Sequence, residues 1–243
     1  MRDNEHKRGV SRTLVNLLFP ARCPICDDIV PAAEGDVCLG CRIKPQYIKE
    51  PRCARCGKQL GDDTKLFCGD CVQRKHIFEY GYALYDYQSM RKSIYRFKYG
   101  GRCEYAKFYA RDIWEKLRDE ICLMKADAII PVPIHTSRLR SRGYNQAQLV
   151  AAELSKLTGI PIYENLVRRV RKTLPQKELT AQERQNNLKK AFNISADVVK
   201  LNKTILVDDI YTTGSTLDAV ALELKRHGVG TVYFITLCIG EGL

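Results

Sequence analysis

Two neighbouring aspartates, Asp208 and Asp209, end an apolar run and precede a loop rich in hydroxyl groups. The loop residues are Thr212, Thr213, Gly214, Ser215 and Thr216. The hydroxyls, the backbone N–H groups at the start of the next helix and the helix dipole together make a cradle for phosphate. The carboxylates would repel that phosphate, so we expect them to face ribose hydroxyls or waters on a magnesium ion. The segment predicts a sugar-phosphate site, because a capped helix after a strand explains the hydroxyls but not two successive acids.

Three arginines, Arg138, Arg140 and Arg142, follow a second apolar run, Ala126 to Pro133. Their guanidinium groups can hold pyrophosphate or a nucleic-acid backbone through forked hydrogen bonds. Spaced arginines are also common on solvated surfaces, but the nearby sugar-phosphate loop favours binding. In the same segment, His135 is either a proton donor or a hydrogen-bonded structural residue. A further basic stretch, residues 168–187, is a flap, a nucleic-acid docking surface or an ordinary solvated segment.

Eight of the 11 cysteines form four Cys-x-x-Cys pairs, each beginning 15 residues after the last. The pairs are Cys23/Cys26, Cys38/Cys41, Cys53/Cys56 and Cys68/Cys71. Two such turns can surround one zinc ion, so the four pairs predict two structural zinc ions. Sequential sharing closes shorter loops and is preferred, while crossed sharing remains open. The other three cysteines, Cys103, Cys122 and Cys238, are interpreted as small buried apolar residues.

The surrounding pattern predicts two domains, with the cysteine-rich region in residues 1–78 and an α/β domain in residues 79–243. Lys203 to Val207 and Gly230 to Leu237 are apolar runs typical of strands, and the segment between them has helical spacing. Strand, helix and strand joined by short links indicate a parallel sheet. Ligands of such sheets bind at the carboxyl ends of the strands, which is where the sugar-phosphate loop lies.

The formal net charge is +12, and counting by segment gives +3 for residues 1–80 and +9 for residues 81–243. A positive field of this kind attracts polyanions, although it also serves as a solubilising surface. Apolar runs are too short to cross a membrane, and the charged first ten residues do not read as a secretory signal. We therefore expect a cytoplasmic protein.

The strand, acid pair and threonine loop resemble the motif with which type I phosphoribosyltransferases hold 5-phosphoribosyl 1-pyrophosphate (PRPP). With the cysteine pairs, the whole order of motifs resembles the ComF family. The other matching motifs are Phe97-Lys98-Tyr99, Pro131-Val132-Pro133, Arg142-Gly143-Tyr144-Asn145-Gln146-Ala147, Pro175-Gln176, Arg184 and Asn187. The resemblance implies an N-terminal zinc ribbon on a type I phosphoribosyltransferase-like α/β domain. It also implies handling of incoming single-stranded DNA in natural transformation, with a ComFA-type helicase ATPase as partner.

Two functions are compatible with these motifs. In the first, which we favour, the protein is an accessory DNA-handling module whose basic face tracks DNA and whose site senses PRPP or holds a terminal phosphate. In the second, it is a phosphoribosyltransferase that binds PRPP with magnesium, in which Thr212 to Thr216 hold the 5′-phosphate and the arginines stabilise departing pyrophosphate. Asp208 and Asp209 then orient the ribose as the catalytic pair, and catalysis is mostly electrostatic stabilisation of separating charge. No pocket for an acceptor base is recognisable, so the sequence names no nucleophile.

Overall fold

A computed structural model describes residues 20–31, 34–170, 191–195 and 201–240. The strands in these ranges are β1 (Gly81–Asp86), β2 (Ala128–Pro131), β3 (Val167–Arg169), β4 (Phe192–Ile194), β5 (Lys203–Tyr211) and β6 (Thr231–Ile239). Four of them form a parallel sheet in the order β1-β6-β5-β2. Strands β3 and β4 make a separate antiparallel pair. The predicted α/β fold with a parallel sheet is confirmed.

The helices in the same ranges are α1 (Gly69–Gln73), α2 (Tyr87–Tyr99), α3 (Tyr105–Met124), α4 (Thr136–Arg142), α5 (Gln146–Thr158) and α6 (Ser215–Arg226). Local chemistry fixes several of their ends. The Asp86 carboxylate accepts from the Ser89 N–H at the start of α2, and Asn145 accepts from the Ala147 N–H at the start of α5. Among the described residues, no helix combines the length and apolarity that a bilayer crossing requires.

Both faces of the sheet are covered, which explains why β5 and β6 are almost continuously apolar. Helices α2, α3 and α5 pack on one face, where Ile205 and Val207 of β5 point. Helix α6 and the β3–β4 pair cover the other face, where Leu206 points. The alternation along β5 continues into the aspartates, so successive side chains reach opposite sides of the sheet.

The cysteine-rich region packs along the β1 edge of the sheet. Residues 46–48, here called the edge segment, lie antiparallel to β1 through a Tyr47–Tyr85 bridge. The Ile48 N–H donates to the Leu84 carbonyl at 3.1 Å, and the Asp86 N–H donates to the Gln46 carbonyl at 2.8 Å. The edge segment therefore occupies the backbone groups that an outer strand would otherwise leave open.

Salt bridges and hydrogen bonds also hold the first cysteine-rich turn against the sheet domain. Asp27 pairs with Arg102 at 2.8 Å and accepts from the Tyr105 hydroxyl at 2.5 Å. Arg96 donates to the Ile25 carbonyl at 3.1 Å. These contacts join residues more than 70 positions apart in the chain, so they act as tertiary rather than local constraints.

The structure departs from the sequence-based predictions at several places. Strand β5 does not stop at Val207 but runs on through both aspartates to Tyr211, because β6 continues to pair with it. Cys103 and Cys122 are exposed, which contradicts their interpretation as buried residues, while Cys238 is buried. Of the basic stretch at residues 168–187, only residues 168–170 fall within the described ranges.

Candidate functional site

The hydroxyl-rich loop links the end of β5 to the start of α6 at the carboxyl edge of the sheet. Gly214 occupies the N-cap position of α6 with φ of 72°, and no side chain caps the helix. The Thr213 hydroxyl lies 2.8 Å from that of Ser215, so these two side chains order each other. Thr212 is exposed, Thr213 is buried, and Ser215 and Thr216 are half-buried. An uncapped helix start flanked by hydroxyls is the arrangement that the sequence predicted for phosphate.

The two aspartates are half-buried and have different partners. Asp209 forms a 2.9 Å salt bridge with Lys98 of α2. Asp208 accepts from the backbone N–H of Asp209 at 2.8 Å. Burial, followed by the neighbouring charge of Asp209, raises the pKa of Asp208 to about 7, and the charges of Lys98 and Arg169 only partly offset this. The Asp209 carboxylate is thus paired with a lysine, whereas the Asp208 carboxyl can change protonation near neutral pH.

A histidine from the end of the cysteine-rich region packs against the loop and contacts α6. His76 Nδ1 lies 2.8 Å from the Asp218 carboxylate of α6, which also accepts from the Ile77 N–H at 2.7 Å. A Cβ on Gly214 would lie 3.0 Å from the His76 ring and 2.9 Å from the Tyr211 hydroxyl. The loop therefore needs glycine for both its backbone conformation and its close packing.

Sequence reasoning missed both Lys98 and His76 as parts of this site. The His76–Asp218 contact spans 142 positions, and Lys98 lies on a helix that the sequence analysis did not predict. Lys98 lies in the Phe97-Lys98-Tyr99 motif and His76 in none, and the sequence around neither residue identifies its partner. Only the parallel sheet, which brings β5 beside α2 and the cysteine-rich region, places them at the loop.

The three predicted arginines lie on helix α4. Arg142 is engaged within the protein, because it donates to Gln146 at 3.0 Å and to the Tyr99 hydroxyl at 2.9 Å. Its guanidinium also lies 4.7 Å from the centroid of the Tyr99 ring. Arg138 and Arg140 are exposed and form no ion pair with any residue that the structure describes. The three side chains are thus not equivalent.

His135 caps helix α4. Its Nδ1 accepts from the Ser137 N–H at 3.2 Å and lies 2.8 Å from the Ser137 hydroxyl. This geometry places His135 in a structural role at the helix start.

The eight paired cysteines gather into two groups of four. They are Cys23, Cys26, Cys38 and Cys41 in one group and Cys53, Cys56, Cys68 and Cys71 in the other. Within each group all sulfur atoms lie within 4.8 Å of one another. Neighbouring sulfurs are 3.7 Å apart for Cys26 and Cys38, and 3.6 Å apart for Cys56 and Cys68.

These spacings fit zinc. A tetrahedral ion with Zn–S bonds of about 2.3 Å requires sulfurs about 3.8 Å apart. The grouping is the sequential one, in which each set of four thiols closes a short loop, and not the crossed one. Four thiols leave no open coordination position, so zinc held there would stabilise the fold of the cysteine-rich region and catalyse nothing.

Known proteins resemble this chain in sequence and in structure. A family described as the double zinc ribbon domain matches residues 14–72. The yeast adenine phosphoribosyltransferase complexed with D-DIAB and adenine aligns with 63% of this chain and 75% of its own, at 18% identity and a TM-score of 0.34. That overlap is too low to carry an argument, so the assignment of the family depends on sequence.

Three relatives cover most of the chain. Competence protein F of Haemophilus influenzae is 34% identical over 87% of this chain and 93% of its own. DNA utilization protein YhgH of Salmonella typhi is 31% identical over 91% and 98%. Competence protein ComFC of Bacillus subtilis is 28% identical over 79% of each chain. The chain therefore belongs to the ComF family, the family of competence protein F.

Proposed function

We propose that this chain handles incoming single-stranded DNA in the cytoplasm during natural transformation and binds PRPP with magnesium at the β5–α6 loop. The single observation that carries the PRPP site is the placement of Asp208 and Asp209 beside the uncapped start of α6. The competence setting is supported by the names of the relatives. A ComFA-type helicase ATPase is the partner that the family resemblance implies.

In this proposal the loop divides the ligand between two kinds of group. The N–H groups of α6 and the hydroxyls of Thr212 to Thr216 hold the 5′-phosphate. Asp208 and Asp209 receive the ribose hydroxyls and waters on magnesium, whose preference for oxygen ligands fits carboxylates. Lys98 limits the negative charge there by neutralising Asp209.

Calorimetry with PRPP and magnesium tests the site. The double variant Asp208→Ala with Asp209→Ala should lose measurable PRPP affinity. Asp63 is an exposed carboxylate between Cys56 and Cys68. The variant Asp63→Ala is the control and should bind PRPP as the wild type does. Unchanged PRPP affinity in the double variant would refute the assignment.

The exposed Arg138 and Arg140 are proposed to contact the DNA backbone or pyrophosphate. Each phosphate contact that is lost should reduce the slope of log affinity against log salt by about 0.7 for single strands. The pair Arg138→Ala with Arg140→Ala should therefore flatten the salt dependence of single-strand binding. Arg142→Ala should flatten it less, because Arg142 is already bound to Gln146 and Tyr99. A wild-type affinity that does not respond to salt would contradict this role.

A second candidate function is phosphoribosyl transfer to an unidentified base or nucleic-acid acceptor. The observation in its favour is Asp208, whose buried carboxyl has its pKa raised to about 7 and can exchange a proton at neutral pH. A screen of bases and nucleic acids for acceptor-dependent release of pyrophosphate from PRPP tests this function. No release with any acceptor would leave only the binding role.

A further inference from the structure

A groove of about 590 Å³ runs along the outer face of α2, beside the candidate site. Tyr95 and Tyr99 line it one helical turn apart and are 65% and 59% exposed. Large aromatic rings are normally more buried than this, and neither ring belongs to the apolar cores. Their centroids are 5.1 Å apart with planes tilted by 46°, so the two rings do not stack face to face on each other.

The groove is positively charged. Arg91 and Lys92 line it, are exposed, and form no ion pair with the part of the chain that the structure describes. The residues found lining the groove include no carboxylate. Arginine and lysine beside exposed rings are complementary to a chain that alternates phosphates with aromatic bases.

One of the two rings is held in position. Arg142 of α4 donates to the Tyr99 hydroxyl and lies over its ring, so its contacts restrict the rotation of that side chain. Fixing an exposed tyrosine before binding reduces the conformational entropy lost when a base stacks on it. This gives Arg142 a use different from that of Arg138 and Arg140.

The groove also adjoins the aspartates. Lys98 lines it and bridges to Asp209, and Ile210, the next residue of β5, lines it as well. A strand lying in the groove would thus approach the carboxyl end of β5. The Lys98–Asp209 salt bridge therefore links the groove to the strand that leads into the β5–α6 loop.

We propose that this groove binds single-stranded DNA, with bases stacked on Tyr95 and Tyr99 and phosphates at Arg91 and Lys92. The inference deepens the proposed function, since it assigns a place to the DNA that the protein handles. Unpaired bases are required, because a duplex hides base faces inside its own stack. An acidic peptide shares only the charge and not the ring faces, so we favour nucleic acid.

The test measures binding of a fluorescein-labelled oligothymidylate of about 20 nucleotides, and of an abasic oligomer of the same length, at fixed salt. Stacking on each base predicts that Tyr95→Ala and Tyr99→Ala each weaken oligothymidylate binding by about tenfold. The matched control Tyr95→Phe keeps the ring and should remain within about twofold of wild type. Tyr99→Phe keeps its ring but loses the hydrogen bond from Arg142, so its binding should fall between that of wild type and that of Tyr99→Ala. The abasic oligomer should bind all of these variants alike.

A second measurement locates the contact directly. An oligonucleotide containing 5-bromouracil, irradiated on the wild-type protein, should form adducts at Tyr95 or Tyr99 that mass spectrometry maps. Adducts confined to other segments of the chain would overturn the inference.

The outcomes separate the groove from the proposed function. If wild type binds oligothymidylate but the alanine variants bind it equally well, the groove assignment is wrong and DNA handling stands. If the alanine variants lose both oligomers equally, stacking is wrong. If wild type binds neither oligomer, the DNA-handling function fails and the groove assignment fails with it.

Discussion

Asp208→Asn is expected to stabilise the protein, and to do so more strongly as the pH rises. Burial keeps the Asp208 carboxyl protonated in the folded protein up to about pH 7. In the unfolded chain the same carboxyl ionises near its ordinary pKa of 3.8. Above that value the unfolded state is stabilised by releasing a proton that the folded state retains. The free energy of unfolding therefore falls as the pH rises towards 7. Asparagine cannot ionise and still offers an oxygen to the Asp209 N–H.

The size of the effect follows from the two pKa values. A rise from 3.8 to about 7, at about 1.36 kcal/mol per unit, gives an upper limit of roughly 4 kcal/mol once the pH exceeds 7. Just over half of this destabilisation of the wild type is already present at about pH 5.5. The stabilisation by Asp208→Asn should therefore grow by about 2 kcal/mol between about pH 5.5 and 8.5. The same substitution should abolish PRPP binding if Asp208 receives the ribose.

Urea unfolding of the zinc-loaded protein, followed by circular dichroism across this pH range, measures the difference. Asp63→Asn, an exposed carboxylate, is the control and should show no comparable growth with pH. A difference between Asp208→Asn and wild type that stays constant across the range would refute the reasoning. It would mean that Asp208 is ionised throughout and that its neighbours stabilise the charge.

Three further predictions concern the support of the loop. Gly214→Ala should lower the free energy of unfolding, measured by thermal denaturation, by at least about 1–2 kcal/mol, because its φ is +72° and the new Cβ meets His76 at 3.0 Å. The control Gly143→Ala, with φ of +82° and open space, should lower it less. His76→Ala should cost about 1–3 kcal/mol and weaken PRPP binding, because it removes a buried partner of Asp218, whereas the exposed His227→Ala should do neither. Chelation of zinc should speed hydrogen exchange in the edge segment and in the loop, measured by mass spectrometry, because both contact the cysteine-rich region. Unchanged exchange would mean that the cysteine-rich region does not support the sheet edge and the loop.

The cysteine spacing and the β5–α6 motif were readable from sequence because their chemistry is local. Four pairs spaced at equal intervals bring their sulfurs into two groups, each formed by cysteines that are neighbours along the chain. In the same way, an apolar run before Asp208 and helical spacing after Ser215 identify a strand and a helix within about 20 residues. Such signals depend on neighbours along the chain, so they survive without tertiary information.

The elements that complete the site were not readable. Helix α3, the longest described, and helix α4 were not predicted from the sequence. The different fates of Arg138 and Arg142 depend on Tyr99, which is 43 positions from Arg142 and reaches it only after folding. Partnerships at such separations leave no periodicity in the chain, and the same holds for Lys98 with Asp209.

The edge segment has a consequence for synthesis on the ribosome. Strand β1 pairs with β6 in the finished sheet, but β6 is made about 150 residues later, so β1 leaves the ribosome long before its partner exists. The edge segment precedes β1 and is available as soon as β1 appears. It can shield one side of β1 from other nascent chains during this interval. The edge segment thus offers the growing chain a pairing partner for β1 before the sheet has formed.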